Sequence, residues 1–209
     1  MIYRVLFLFV FFLALANAAA ANNLRALESE DSIVAAGKGN NKCKGKKAKA
    51  ITEDDVWNAL NRWGTGLVSI STTAKNNGDY IKVAREVIEN NYNYLEGTTL
   101  FKPTLAVTVP VRTTFNGALS YFVGGNPDFA EDGDLGKGFA AKNPFKEVDW
   151  ELAGIALNGK TAQTQGLKLL KLDNDNVITA HFSMSFIQDA CGDLNIQLHH
   201  SSLPYSPSP

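Results

Sequence analysis

The stretch Val177–Gln188 restricts this chain most, because it alternates cleanly. Ile178, Ala180, Phe182, Met184 and Phe186 fall on one parity, with Thr179, His181, Ser183 and Ser185 on the other. Successive side chains of a strand point to opposite faces, so the pattern predicts a sheet with one apolar and one more polar face. Three further segments have strand character: Val148–Leu157, Thr161–Leu172 and Leu194–Ser202. The turn signals Asn158-Gly159 and Asp173-Asn174-Asp175-Asn176 separate them and predict an antiparallel meander.

Two helices precede the meander. Thr52 is placed to cap the first, with Glu53, Asp54 and Asp55 in the opening turn, where the helix dipole favours negative charge. Val56, Trp57, Leu60, Trp63, Leu67 and Ile70 then recur at helical spacing, which predicts a long amphipathic helix over about 53–75 and puts both tryptophans in the core. Asn76-Asn77-Gly78 breaks it, and Asp79 caps a second helix over Tyr80–Asn91. Tyr94–Val111 reads as strand-like, its pairing limited by Pro103 and Pro110. Thr113–Tyr121 reads as a short helix or turn, and Asn126–Asn143 as a long loop rich in glycine and acidic residues. Helices followed by a bent meander make an α+β plan. The arrangement that satisfies it is a cone of the nuclear-transport-factor-2-like or cystatin-like kind, a curled antiparallel sheet around the long N-terminal helix.

The rest of the chain bounds the function. Met1–Ala18 has the layout of a signal peptide: Arg4, an apolar run from Val5 to Leu15, then Ala16-Asn17-Ala18. Residues 19–50 hold an acidic cluster and a lysine run but no aromatic side chain, and read as a disordered leader or transit segment. The domain is expected over 51–205, with a tail at 206–209. The apolar start is too short to span a bilayer and no second such stretch follows, so no stable membrane span is expected after its removal. A formal net charge of −1 argues against a dedicated nucleic-acid binder. The two cysteines, Cys43 and Cys191, do not make a disulfide scaffold, and a bridge between leader and loop is not expected.

The chemistry concentrates at the end of the last strand. The chain has three histidines, and two fall together in His199-His200-Ser201-Ser202. Strand alternation puts His199 and Ser201 on one face and His200 and Ser202 on the other. A zinc site built from His181, His199 and His200 fails on a regular strand, because the adjacent pair diverges. A mixed site with His181 and Glu131 or Asp132 stays open, though nothing in the spacing demands it. His181 alone reads as a sheet residue, and the Glu131-Asp132 loop as solvated, without the spacing of a calcium loop.

Several segments in order resemble one family, the iota-class carbonic anhydrases of algae and bacteria, built on the association-domain fold of calcium/calmodulin-dependent kinase II. The carriers are Trp57, Trp63 and Gly64, the run Leu100–Ala106, Arg112, the run Ala118–Asn126, Glu131-Asp132, Gly138-Phe139-Ala140 and the run His199–Tyr205. The resemblance implies reversible hydration of CO2 to bicarbonate in a small, mostly apolar, metal-free pocket, with zinc or manganese as the alternative, and a role in carbon concentration. It implies that bicarbonate meets Thr104, Tyr121 and a serine, Ser201 or Ser202, with Ser183 or Ser185 as outliers. Arg112 either joins the substrate or pairs with a carboxylate such as Glu131. One of His199 and His200 is expected to accept or relay the proton, the other to be structural. A homodimer is expected from the resemblance alone. The signal peptide points to the secretory pathway, with secretion, the endoplasmic reticulum or a plastid bounded by extra membranes as destinations. The competing readings are a non-catalytic oligomerisation or binding module, and a cyclase or isomerase needing an inward carboxylate, for which only Glu96, Glu147 and Glu151 offer themselves.

Overall fold

Helix α1 (Glu53–Lys75) starts where the sequence says it should. Thr52 Oγ1 accepts from the Asp55 backbone N–H, and the Asp55 carboxylate accepts from the Thr52 N–H, a complete capping box. Helix α2 (Tyr80–Asn91) is capped by the Asp79 side chain. A computed structural model describes residues 49–133 and 137–206. The expected signal peptide, nearly all of the leader and residues 207–209 lie outside the described residues.

Strands β1 (Leu100–Lys102), β2 (Phe145–Asn158), β3 (Thr161–Leu172), β4 (Val177–Gln188) and β5 (Leu194–Ser202) form one curled sheet in the order β1-β5-β4-β3-β2. The four long strands pair antiparallel, as the turn signals predict, whereas β1 joins β5 in parallel. Register shifts in β2 near Glu147 and Gly154, and in β5 at Gln197, opposite Ser185 and Phe186 of β4, mark where the sheet bends. Helix α1 packs in the hollow. Gly64 permits the close approach, because a Cβ there would sit 3.0 Å from Val148. Val56, Leu60, Trp63, Leu67 and Ile70 are buried, but Trp57 is 37% exposed, which corrects its placement in the core.

Tyr94–Val111 is mostly not strand. A 3₁₀ turn (Asn93–Leu95) and the three residues of β1 are its regular parts. Pro103 ends β1 by removing a donor, and the chain returns at Arg112, whose backbone exchanges hydrogen bonds with Phe101 at 2.6 and 3.3 Å. Helix α3 (Phe115–Val123) follows, capped by Thr114. The expected loop then contains a 3₁₀ segment (Pro127–Asp132) and a one-turn helix, α4 (Phe139–Lys142). Cys191 is disulfide-bonded, which corrects the expectation of no bridge; the sequence's other cysteine, Cys43, lies outside the described residues.

Candidate active site

The register of β5 against β4 decides which end residues face inward. Ser201 pairs with Phe182 and His199 with Met184, and both partners belong to the apolar parity of β4. Ser201 and His199 are accordingly buried. Their neighbours His200 and Ser202 face out, into a shallow groove shared with His181, Ser183, Gln165 and Glu151.

Three hydroxyls gather on the inner side. Thr104, just beyond β1, lies beside β5 because β1 pairs with it, and its Oγ1 is 2.7 Å from Ser201 Oγ. Tyr121 arrives from α3. Its ring stacks on Phe139 with centroids 5.3 Å apart and meets Phe101 edge-on at 5.6 Å. Gly138 allows this packing, since a Cβ there would stand 2.6 Å from the Tyr121 carbonyl oxygen. The Tyr121 hydroxyl is buried and makes no hydrogen bond of good geometry, although Thr104 and the backbone of Leu105 come close enough to offset part of the rise in pKa that burial causes. Burial wins and holds the phenol well above its ordinary pKa, so it stays protonated. The result is an aromatic wall with a phenolic O–H that makes no good hydrogen bond beside a hydroxyl pair.

His199 sits on the same face but spends both ring nitrogens elsewhere. Nδ1 is 2.9 Å from Tyr92 Oη, which accepts from Trp63 Nε1 at 2.9 Å. Nε2 is 3.4 Å from Lys168 Nζ. Burial, then the adjacent lysine, pushes the imidazole well below its usual pKa, and burial alone brings the lysine down to about 7. Tyr92 and Lys168 escaped the sequence reading. Lys168 had a signal: it lies on the buried parity of β3 with Ala162, Thr164 and Leu170, where a lysine needs a reason.

Arg112 is fully buried, and its guanidinium binds Asp132 at 2.6 and 2.9 Å and Glu131 at 3.2 Å, over the Phe129 ring. That is the carboxylate pairing the sequence left open, and it clamps the end of the Thr104 loop to the 3₁₀ segment. Asp132 and Glu131 are therefore occupied, and His181 points into the outer groove, so the mixed metal site is not assembled. Among the described residues, no group of three or more His, Cys, Asp or Glu side chains could hold a metal ion. Glu96, Glu147 and Glu151 are all exposed, which removes the inward carboxylate a cyclase or isomerase would need.

Residues 54–203 match the family model described as metal-independent carbonic anhydrase. The chain belongs to the metal-independent carbonic anhydrase family. A relative bearing that name from Nostoc sp. strain PCC 7120 is 42% identical over 160 residues, 75% of this chain and 76% of the relative. The crystal structure of the iota-carbonic anhydrase from a cyanobacterium, complexed with bicarbonate, is 39% identical with a TM-score of 0.73, covering 78% of this chain and 99% of that one. The resemblance carried by the runs Leu100–Ala106, Ala118–Asn126 and His199–Tyr205 thus stands as family membership. The cone fold stands with it.

Proposed function

We propose that this carbonic anhydrase hydrates CO2 at Thr104, Tyr121 and Ser201, with hydroxyl groups in place of a metal. Three hydroxyls carry three protons, and the Thr104–Ser201 bond uses one. Two O–H donors remain, one from Tyr121 and one from the pair. They suit the two CO2 oxygens, on which negative charge develops as water attacks carbon. The free lone pairs of Thr104 and Ser201 orient that water. The same donors hold bicarbonate in the reverse direction, the anion named in the cyanobacterial complex. The aromatic wall of Phe101, Tyr121 and Phe139 keeps the pocket dry, which strengthens each hydrogen bond.

The observation that carries this reading is the 2.7 Å approach of Thr104 and Ser201 beside a buried phenol without a partner. Ser201→Ala and Ser202→Ala test it together in a stopped-flow CO2-hydration assay. The first should lose roughly 10²-fold in kcat, as for removal of one oxyanion donor, and the second little. Equal effects would refute the assignment.

Around this site we read the rest of the chain as a signal peptide (1–18), a leader (19–50), the catalytic domain (51–205) and a short tail. That reading sends the protein into the secretory pathway, to a role in carbon concentration. Assembly as a homodimer is carried by the resemblance to the family alone. Light scattering of the mature protein tests the assembly, and a tagged chain followed in cells tests the route.

A further inference from the structure

Strand β1 stops before Thr104, and the hydroxyl pair depends on that stop. Phe101 spends its backbone N–H and C=O on Arg112, so Leu100 and Lys102 are the β1 residues whose backbones face β5. The register of Lys102 against His200 then sets the Lys102 carbonyl on the Ser201 N–H. The next donor in line, for the Ser201 carbonyl, would be the N–H of Thr104, which makes no such bond. Pro103 intervenes, and its ring holds φ at about −65°, away from the value of about −120° that a parallel strand favours. The Ser201 carbonyl accepts from the Lys102 ammonium instead, with Nζ and O 3.1 Å apart.

Residues paired in a ladder share a face. Leu100 and Leu198 are both exposed, while Phe101 and His199 are both buried, their rings stacked with centroids 5.0 Å apart. A ladder continued through Thr104 would set it against Ser202, on the outer face with Lys102 and His200. Its hydroxyl would then point away from Ser201, which faces inward. Because the chain leaves the ladder, Thr104 Oγ1 turns in to stand 2.7 Å from Ser201 Oγ. The backbone of Thr104 turns with it, toward the Tyr121 hydroxyl.

The departure leaves the Ser201 carbonyl in need of a donor. Ser201 is buried, and an unsatisfied buried carbonyl would draw the Thr104 N–H back into the ladder. The long stem of Lys102 supplies the donor without the main chain having to follow. Lys102 makes no ion pair among the described residues that would pull its ammonium elsewhere.

We infer that Lys102 is a positioning residue of the hydration site: by occupying the Ser201 carbonyl it keeps Thr104 out of the ladder and the Thr104 hydroxyl turned inward. The inference rests on the carbonic anhydrase reading and deepens it by naming what keeps the Thr104–Ser201 pair together. Lys102 acts on the reaction through those two residues.

Lys102→Met keeps the stem and removes the donor. In stopped-flow CO2 hydration its kcat should fall roughly 10- to 100-fold, the scale of a misplaced reacting group, with KM within about twofold. Its urea midpoint should stay near the parent's, because the Thr104 N–H replaces the lost bond. Lys102→Arg, whose guanidinium can still donate to the carbonyl, should recover kcat to within about threefold of the parent. A crystal structure of Lys102→Met should show the Thr104 N–H on the Ser201 carbonyl and the Thr104 hydroxyl on the outer face. Thr104 Oγ1 still beside Ser201 Oγ in that variant would overturn the inference, as would a parental kcat. So would a fall in kcat matched by an equal loss of folded protein, or one that Lys102→Arg does not recover. A parent protein without CO2 hydration would instead sink the carbonic anhydrase reading, and the crystal structure of the variant would still decide what Lys102 holds in place.

Discussion

Removing the Tyr121 hydroxyl should separate activity from stability. Most buried polar groups serve the fold, and losing one destabilises it. Tyr121 Oη is different: it is buried, without a good hydrogen bond, so the fold bears its desolvation cost of about 1–3 kcal/mol without return. In Tyr121→Phe that cost disappears, while the ring contacts with Phe101, Phe122 and Phe139 at 5.6, 5.7 and 5.3 Å survive unchanged. The variant should therefore be as stable as the parent, or more so by up to about 1 kcal/mol after local relaxation. Its activity should not survive. One of two free donors to the developing anion is gone, which typically costs about 10²–10³ in kcat, or about 2.7–4 kcal/mol of barrier. Urea unfolding and stopped-flow CO2 hydration on the same preparation read both quantities. A variant that loses stability by more than about 1 kcal/mol, or keeps its rate within about twofold, would refute the reasoning.

Asp132→Asn removes one side of a buried ion pair and should cost about 3 kcal/mol in urea unfolding. Glu131→Gln, which alters a partly exposed carboxylate at a longer 3.2 Å contact, should cost under about 1 kcal/mol. Stability should also rise between pH 7 and 9. Lys168 is depressed to about 7 in the fold, whereas the unfolded chain holds that proton to about 10.4, so the unfolded state binds more protons throughout this window. Urea midpoints across that range should slope upward in the parent, and the slope should flatten in Lys168→Met.

The last three strands were legible because alternation and turn residues agree along Thr161–Ser202, and the structure keeps both ends of each as the pattern sets them, whereas β2 runs Phe145–Asn158, beyond the expected Val148–Leu157 at both ends. Tyr94–Val111 was not legible. Its apolar alternation around Pro103 and Pro110 imitates a strand, but Leu105, Val107, Val109 and Val111 are exposed on a loop held at its ends by Phe101 and Arg112. At the site, alternation alone separated His199 and Ser201 from His200 and Ser202. It could not say which pair faces inward, because both contain one imidazole and one hydroxyl. The answer lies in the cross-strand register, Ser201 against Phe182, and register is a property of two strands together. Arg112 was ambiguous for a similar reason. Its partner Asp132 is distant from it in the chain by a helix and a loop, and only folding closes that gap. The Tyr92–His199–Lys168 line joins α2, β5 and β3, and no local pattern announces it.

The central claim is that hydroxyl groups, and no metal ion, carry CO2 hydration here. The most direct measurement is the hydration rate of chelator-treated protein, with bound metal quantified in the same sample. Full activity at metal content far below one ion per chain is the predicted result. Activity lost on chelation and restored only by added zinc or manganese would contradict it.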